Sequence, residues 1–166
     1  MYQRILVPLD GSQLAEQVVP YAAGLARGLS AEVHLLRTFE SLPADLSDTL
    51  HGLYRDSLLA MDRSAAQDYL EGIAAPLREA GIVAASEVAE ASAAERIVKR
   101  AEEDPSALVA MSSHGRSGLG RWLLGGVTDK VLRATRNPLL IVPPAALPVP
   151  DEARDDPVVS LLQGLE

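Results

Sequence analysis

Apolar and polar positions follow two patterns along the chain, and together these patterns predict five strands and four helices. Short apolar runs, typical of strands buried on both faces of a parallel sheet, cover residues 4–9, 33–39, 82–88, 107–111 and 139–142. Longer segments with an apolar residue every three or four positions, typical of amphipathic helices, cover residues 14–29, 56–80, 93–103 and 127–136. Strands that alternate with helices predict an α/β fold, a doubly wound parallel sheet with helices on both faces.

Residues with strong positional preferences mark where several of these segments begin and end. Ser12 is placed to cap the first helix, and Ser92 with Glu95 three residues later forms a capping box before the third helix. Gly81 follows the long second helix, and the Asn-Pro pair at residues 137–138 stops the fourth. These signals agree with the periodicity and support the alternating order of strands and helices.

Length and composition limit the domain count and the kinds of site. The chain has 166 residues, of which 48% are apolar and none is cysteine. This length is enough for one domain with a core of its own. We predict that domain over residues 1–144, followed by an acidic tail over residues 145–166 that is either disordered or docked on the domain. The lack of cysteine excludes disulfides, thiolate metal sites and cysteine nucleophiles.

Charge and hydropathy limit the classes of partner that this protein can have. A net charge of −8 repels a polyanion, so we expect no nucleic-acid partner. Residues 105–150 differ from the rest, because they contain five basic residues and one acidic residue. Their local net charge, 5 − 1 = +4, suits a small anion. No apolar segment approaches the roughly 20 residues of a spanning helix, and the first residues do not form the apolar core of a secretory leader. The sequence therefore predicts a cytoplasmic protein without a membrane partner.

The loop after the fourth strand carries residue types suited to phosphate binding. Its glycines, among them Gly118, allow several backbone N–H groups to turn toward one anion, and the following helix adds the N–H groups of its first turn. Arg116 supplies a charge, and hydroxyl donors are available at Ser112, Ser113 and Thr128. The same glycines could equally serve only to let the chain turn tightly between strand and helix.

Two common nucleotide motifs are excluded at this loop. The glycines at 120 and 125 have the spacing of a P-loop, but Gly126-Val127 stands where that motif needs Lys followed by Ser or Thr. The Gly-Leu-Gly at residues 118–120 lacks the third glycine of a dinucleotide fingerprint and follows the fourth strand instead of the first. Neither a Walker NTPase nor a dehydrogenase is predicted.

Taken with the predicted sheet, residues 1–143 resemble the universal stress protein (UspA) family. The nucleotide motif of that family is a glycine, two residues, a glycine, nine residues and a glycine followed by Ser or Thr. Gly115 and Gly125 match the second and third glycines, whereas Ser112 replaces the first and Gly126 replaces the Ser or Thr. The segments 5–12, Ile-Leu-Val-Pro-Leu-Asp-Gly-Ser, and 137–142, Asn-Pro-Leu-Leu-Ile-Val, are also similar to that family.

The resemblance implies a Rossmann-like sheet in the order 3-2-1-4-5 and a homodimer paired through the fifth strand. It also implies that ATP, with Mg²⁺, binds between the first strand and the glycine loop. Asp10 would lie near the ribose or a phosphate-bound Mg²⁺, and the backbone of Thr38 would meet adenine. The full set of nucleotide-binding residues implied is Pro8, Leu9, Asp10, Thr38, Met111, Ser112, His114, Gly115, Arg116, Gly118, Gly125, Gly126, Val127 and Thr128.

Several of these residues have a plainer interpretation that the sequence leaves open. Asp10 before Gly11 could simply shape a turn, and Arg116 could be a solvated side chain. His114 could only shape its loop. Trp122, which is not in this set, suits packing or a dimer contact better than stacking on a base. The loss of a hydroxyl at Gly126 is expected to weaken phosphate binding by about 1 kcal/mol.

Three functions remain compatible with the sequence. The first is a stress-response protein that binds ATP and acts as a nucleotide-responsive binding and signalling module. The second is a family member that does not bind nucleotide and acts through dimerisation and partner contacts. The third is a phosphotransfer enzyme or ATPase, expected to be slow because the chain has no Walker lysine and no evident general base.

Overall fold

In a computed structural model, which describes residues 2–40, 52–113 and 124–143, five strands pair in parallel in the order β3-β2-β1-β4-β5. The strands are β1 (Arg4–Pro8), β2 (Glu32–Phe39), β3 (Ala84–Glu90), β4 (Ala107–Ser112) and β5 (Leu139–Val142). The helices are α1 (Gln13–Glu16), α2 (Val19–Leu29), α3 (Gly52–Glu79), α4 (Ala93–Glu102) and α5 (Gly126–Ala134). The predicted fold class and strand order are confirmed.

The sheet has a separate apolar core on each face, as a doubly wound fold requires. Successive side chains of a strand point to opposite faces. Accordingly, Ile5 and Val7 of β1 belong to a core that includes buried residues of α2 and α3, whereas Leu6 joins Ile97 of α4 and Val131 of α5. The unbroken apolar run of β1 therefore fills both cores, which explains why it shows no alternation of polar and apolar residues.

The first predicted helix, over residues 14–29, is wrong in one respect, because the structure contains two helices there. The chain leaves the helical pattern at residues 17–18, between α1 and α2. Pro20 lies in the first turn of α2. Proline has no N–H and its ring clashes with the carbonyl four residues earlier, so Pro20 suits the first turn of a new helix better than the interior of one continuous helix.

The start of β3 and the cap of α4 also differ from the predictions. β3 begins at Ala84, two residues later than expected, because the Ile82 N–H donates to the Leu77 carbonyl (3.0 Å) and closes the end of α3. Ser92 does occupy the N-cap of α4, but its side chain makes no capping hydrogen bond, so the predicted capping box is not formed. Ser12 caps α1 as predicted, since its Oγ accepts from the Ala15 N–H at 3.1 Å.

The predicted acidic tail, residues 145–166, lies outside the described residues. Among the helices that are described, none combines the length and the apolar character needed to cross a membrane.

Candidate functional site

A cavity of about 640 Å³ opens at the carboxyl ends of β1, β2 and β4. Pro8, Phe39 and Ser112 are the last residues of these three strands, and all of them line it. The strand order reverses between β1 and β4, because β1 leads on to β2 on one side and pairs with β4 on the other. Open α/β sheets bind ligands at this kind of reversal, so the fold itself marks the cavity as the candidate site.

The structure brings together most of the site residues implied by the sequence. The cavity is lined by these members of that set: Pro8, Leu9, Asp10, Thr38, Met111, Ser112, Gly125, Gly126, Val127 and Thr128. The other four, His114, Gly115, Arg116 and Gly118, lie outside the described residues. Residues more than 100 positions apart in sequence therefore share one wall, as the resemblance implied.

Part of the cavity wall was not predicted. Most of it comes from α3, from β2 and from the residue after β2, with a single contribution from α1 and two from α4. The residues are Leu36, Arg37, Phe39, Glu40, Asp62, Ala65 and Ala66, with Ala15 of α1 and Ala93 and Ile97 of α4. The position of Thr38 near the carboxyl end of a strand could have pointed to its neighbours in β2. No motif marks the residues of α3, because a long amphipathic helix does not reveal which of its turns reaches the end of the sheet.

Asp10 both lines the cavity and shapes a turn, so the two interpretations left open by the sequence are not exclusive. Its Oδ1 accepts hydrogen bonds from the backbone N–H and the hydroxyl of Ser12, at 2.9 and 2.6 Å. Gly11 between them has a φ of +84°, in the left-handed region that glycine adopts at little cost. A carboxylate already held by two donors is fixed in position at the mouth of the cavity.

Backbone hydrogen bonds hold the amino end of α5 against the ends of β4 and β5. Ser113 donates its N–H to the Val142 carbonyl (2.9 Å), and its own carbonyl accepts from the Gly125 N–H (2.8 Å). Thr128 is buried, and its hydroxyl donates to the Ser112 carbonyl at 3.0 Å. The sequence offered this hydroxyl as a donor to phosphate, but in the structure it donates to the protein backbone.

The first turn of α5 lines the cavity, and its backbone N–H groups have no helical partner. The first helical hydrogen bond runs from the Asp129 N–H to the Gly125 carbonyl (2.9 Å), so the N–H groups of Gly126, Val127 and Thr128 have no partner within the helix. A side chain added at Gly126 would meet no described atom within 4 Å. The described residues therefore leave space for the hydroxyl that the family motif carries here.

The largest network of charges in the described residues lies on the α4 side of the sheet and does not line the cavity. Glu87 accepts hydrogen bonds from Arg96, Arg100 and the buried His34, whose Nε2 lies 3.1 Å from Glu87 Oε2. Burial raises the pKa of Glu87, but hydrogen bonds from Arg96 and His34 outweigh it and hold that pKa below its usual value. Burial lowers the pKa of His34, although the bond to Glu87 opposes the change.

The model of the universal stress protein family matches residues 1–143 of this chain. The chain belongs to that family. Universal stress protein MJ0531 of Methanocaldococcus jannaschii is 29% identical over 147 residues, which cover 86% of this chain and 82% of the relative. The solved structure of MJ0577 from the same organism is 27% identical, has a TM-score of 0.74 and covers 86% of this chain and 96% of its own.

A third similar structure shows the shared fold at lower identity. The universal stress protein of Archaeoglobus fulgidus in complex with dAMP is 17% identical and has a TM-score of 0.58. The match covers 84% of this chain and 97% of that one. The universal stress protein fold is therefore preserved although fewer than one residue in five is the same.

Proposed function

We propose that this universal stress protein binds an adenine nucleotide, ATP together with Mg²⁺, and acts as a nucleotide-responsive binding module in the stress response. The observation that carries the proposal is the position of the cavity, between the end of β1 and the amino end of α5. A helix amino end attracts phosphate, because its unpaired N–H groups and its dipole both favour a negative charge.

The proposed phosphate subsite is the first turn of α5. The N–H groups of Gly126, Val127 and Thr128 would donate to phosphate oxygens, and the glycine loop with Gly115 and Arg116 would complete the subsite. The rest of the lining suits an adenosine. Pro8 and Leu9 supply apolar surface beside it, Met111 and Ser112 would line the ribose side, and the backbone of Thr38, near the end of β2, would meet adenine. Apolar surface combined with a few N–H donors is the arrangement that an adenine nucleotide requires.

The residues present also fit a magnesium ion carried by the nucleotide. Among the described residues no group of three or more metal-ligating side chains occurs. Mg²⁺ bound to a nucleotide does not need one, because it takes most ligands from phosphate and water and only one or two carboxylates from the protein. Asp10 would contribute that carboxylate, and the ion would neutralise part of the phosphate charge.

The dAMP complex is a property of the Archaeoglobus fulgidus protein, whose likeness to this chain establishes the fold alone. It agrees with the proposal in placing a nucleotide on this fold. The weight of the proposal rests on the cavity of this chain and on the residues that line it.

The edge of the sheet supports a second proposal, that the protein forms a homodimer through β5. Pro138 and Val142 both turn their carbonyls toward β4, where they accept from the N–H groups of Val109 and Ser113 at 2.9 Å. Backbone groups of a strand alternate between its two sides, so Leu139 and Ile141 turn theirs toward the open edge. A second copy of β5 could pair there, and such pairing would also serve a protein that acts through partner contacts.

Calorimetric titration of nucleotide-stripped protein with ATP and Mg²⁺ tests the nucleotide proposal. We expect saturable binding near one ATP per chain, lost in Gly115→Val because a branched side chain blocks the close approach of phosphate to the backbone. Gly72→Val is the matched control, since Gly72 lies on α3 with no described atom within 4 Å of an added Cβ. Absence of binding up to millimolar ATP in the native protein would refute the proposal.

A further inference from the structure

One cation, Arg37 of β2, stands among the described residues that line the cavity, and the carboxylates there are Asp10, Glu40 and Asp62. Its side chain is only partly exposed. No feature of the sequence marked Arg37, and the proposed phosphate subsite lies at α5, on the other side of β1. The immediate contacts of Arg37 indicate its role.

The guanidinium of Arg37 lies close to both an aromatic ring and a stretch of main chain. Its Cζ lies 4.5 Å from the centroid of the Tyr69 ring. It also lies close to Gly11, where an added Cβ would be 2.9 Å from Nη1 and 3.0 Å from Nη2. These distances are shorter than real Cβ contacts, so a residue with a Cβ would fit at Gly11 only if the guanidinium moved.

Tyr69 is itself fixed in place. Its hydroxyl donates to Glu16 Oε1 at 2.9 Å, which ties α3 to α1. Burial, with the hydrogen bond to Glu16, raises the pKa of Tyr69, so the hydroxyl remains protonated and continues to donate at neutral pH. We call Gly11, Arg37, Tyr69 and Glu16 the Arg37 stack; it joins the loop after β1 to β2, α3 and α1.

The loop that the Arg37 stack touches is the one that carries Asp10. Before Gly11, the Leu9 N–H donates to the Leu36 carbonyl of β2 at 2.8 Å. After Gly11, the Ser12 N–H donates to Asp10 at 2.9 Å. Between these two hydrogen bonds the main chain turns through the left-handed conformation of Gly11, and the guanidinium covers that turn.

We propose that Arg37 is a positioning residue of the nucleotide site, acting through the Arg37 stack to hold Gly11 and Asp10 in the conformation that lines the cavity. The proposal rests on the proposed nucleotide binding. It requires the flat shape of arginine as well as its charge, because a planar guanidinium can stack on an aromatic ring and also place its nitrogens against the main chain. Lysine at this position would keep the charge and lose the contact.

The test compares Arg37→Lys and Arg37→Ala with the native protein in two measurements. Hydrogen exchange of the Leu9 and Ser12 amides, measured without ligand, reports how firmly the loop after β1 is held. Titration with ATP and Mg²⁺ reports the affinity of the site for nucleotide. We expect faster exchange at both amides in both variants and roughly tenfold weaker binding, since the loop must then be ordered when the nucleotide binds. Arg78 is an α3 arginine that does not line the cavity. Arg78→Lys is therefore the control, and it should change neither the exchange rates of the two amides nor the affinity for ATP.

Chemical rescue separates positioning from general damage to the fold. Millimolar methylguanidinium added to Arg37→Ala should restore slow exchange at the two amides and most of the affinity, whereas methylammonium should not. Native exchange rates in Arg37→Lys would overturn the proposal, and so would equal rescue by the two ions. If the native protein binds no nucleotide, the proposed function fails, and the ligand-free exchange and its rescue still decide whether Arg37 positions the loop.

Discussion

The hydroxyl of Thr128 donates to the backbone carbonyl of Ser112 across 3.0 Å, and this bond joins the first turn of α5 to the last residue of β4. Both residues are buried and both line the cavity. The bond therefore sets where the amino end of α5 lies relative to the sheet. It also removes the Thr128 proton from the hydrogen bonds available to a ligand.

Replacing Thr128 with valine, which has nearly the same shape, should destabilise the protein by about 1–3 kcal/mol, because it leaves the buried Ser112 carbonyl without this donor. The free energy of unfolding in urea measures the change. Thr128→Ser keeps the hydroxyl and should cost less than the valine variant. A valine variant as stable as the native protein would mean that the bond contributes nothing to the fold.

Adding a hydroxyl at Gly126 should strengthen ATP binding. The Gly126→Ser side chain has room, with no described atom within 4 Å of its Cβ, and one new hydrogen bond to phosphate is worth about 1 kcal/mol, or roughly fivefold in affinity. Calorimetric titration with ATP and Mg²⁺ measures it. Gly126→Ala fills the same space without a donor, so equal affinities of the two variants would contradict the role given to the hydroxyl.

Proline at position 141 should abolish the proposed dimer without opening the sheet. The Ile141 N–H points away from β4, so a proline there removes a donor from the open edge and none from the pairing with β4. Sedimentation equilibrium should show a monomer for Ile141→Pro and a dimer for both the native protein and the control, Ile141→Thr. A proline variant that remains dimeric and folded would place the interface elsewhere.

Acid should destabilise the protein through His34 and Glu87. The pKa of His34 is lowered in the folded protein, so the unfolded chain takes up a proton more readily as the pH falls. The contribution of His34 to the free energy of unfolding should therefore be fully present above the ordinary histidine pKa of 6.5 and should decline below it. Glu87, whose pKa is also lowered, adds a further loss as the pH falls below its ordinary value of 4.5.

Urea unfolding at a series of pH values tests this dependence on acid. As the pH falls through 6.5, the free energy of unfolding should decline less steeply for His34→Gln than for the native protein, because glutamine does not titrate. The comparison is of slopes and not of absolute stabilities, since the substitution also alters a buried contact. An unchanged slope in the variant would exclude His34 as the source.

The elements that the sequence predicted best are those whose signal is local. The apolar run of β1 and the periodicity of α3 arise from each segment's own residues, and both elements are present within a few residues of the predicted bounds. The break before α2 was missed because the apolar spacing continues across it, although Pro20 is typical of the first turn of a new helix. The strand order came from the resemblance, because local periodicity does not specify which strands pair.

By itself the sequence determined the α/β class, the family and the two segments that meet at the candidate site, because a strand run, a helical period and a glycine spacing are properties of consecutive residues. Only the tertiary structure decided which side chains share the cavity. Arg37 and Asp62 lie there because β2 pairs with β1 and α3 crosses the end of the sheet. Thr128 is bonded to Ser112 because two segments sixteen residues apart pack together. Such contacts arise from pairing between distant segments, which no local pattern encodes.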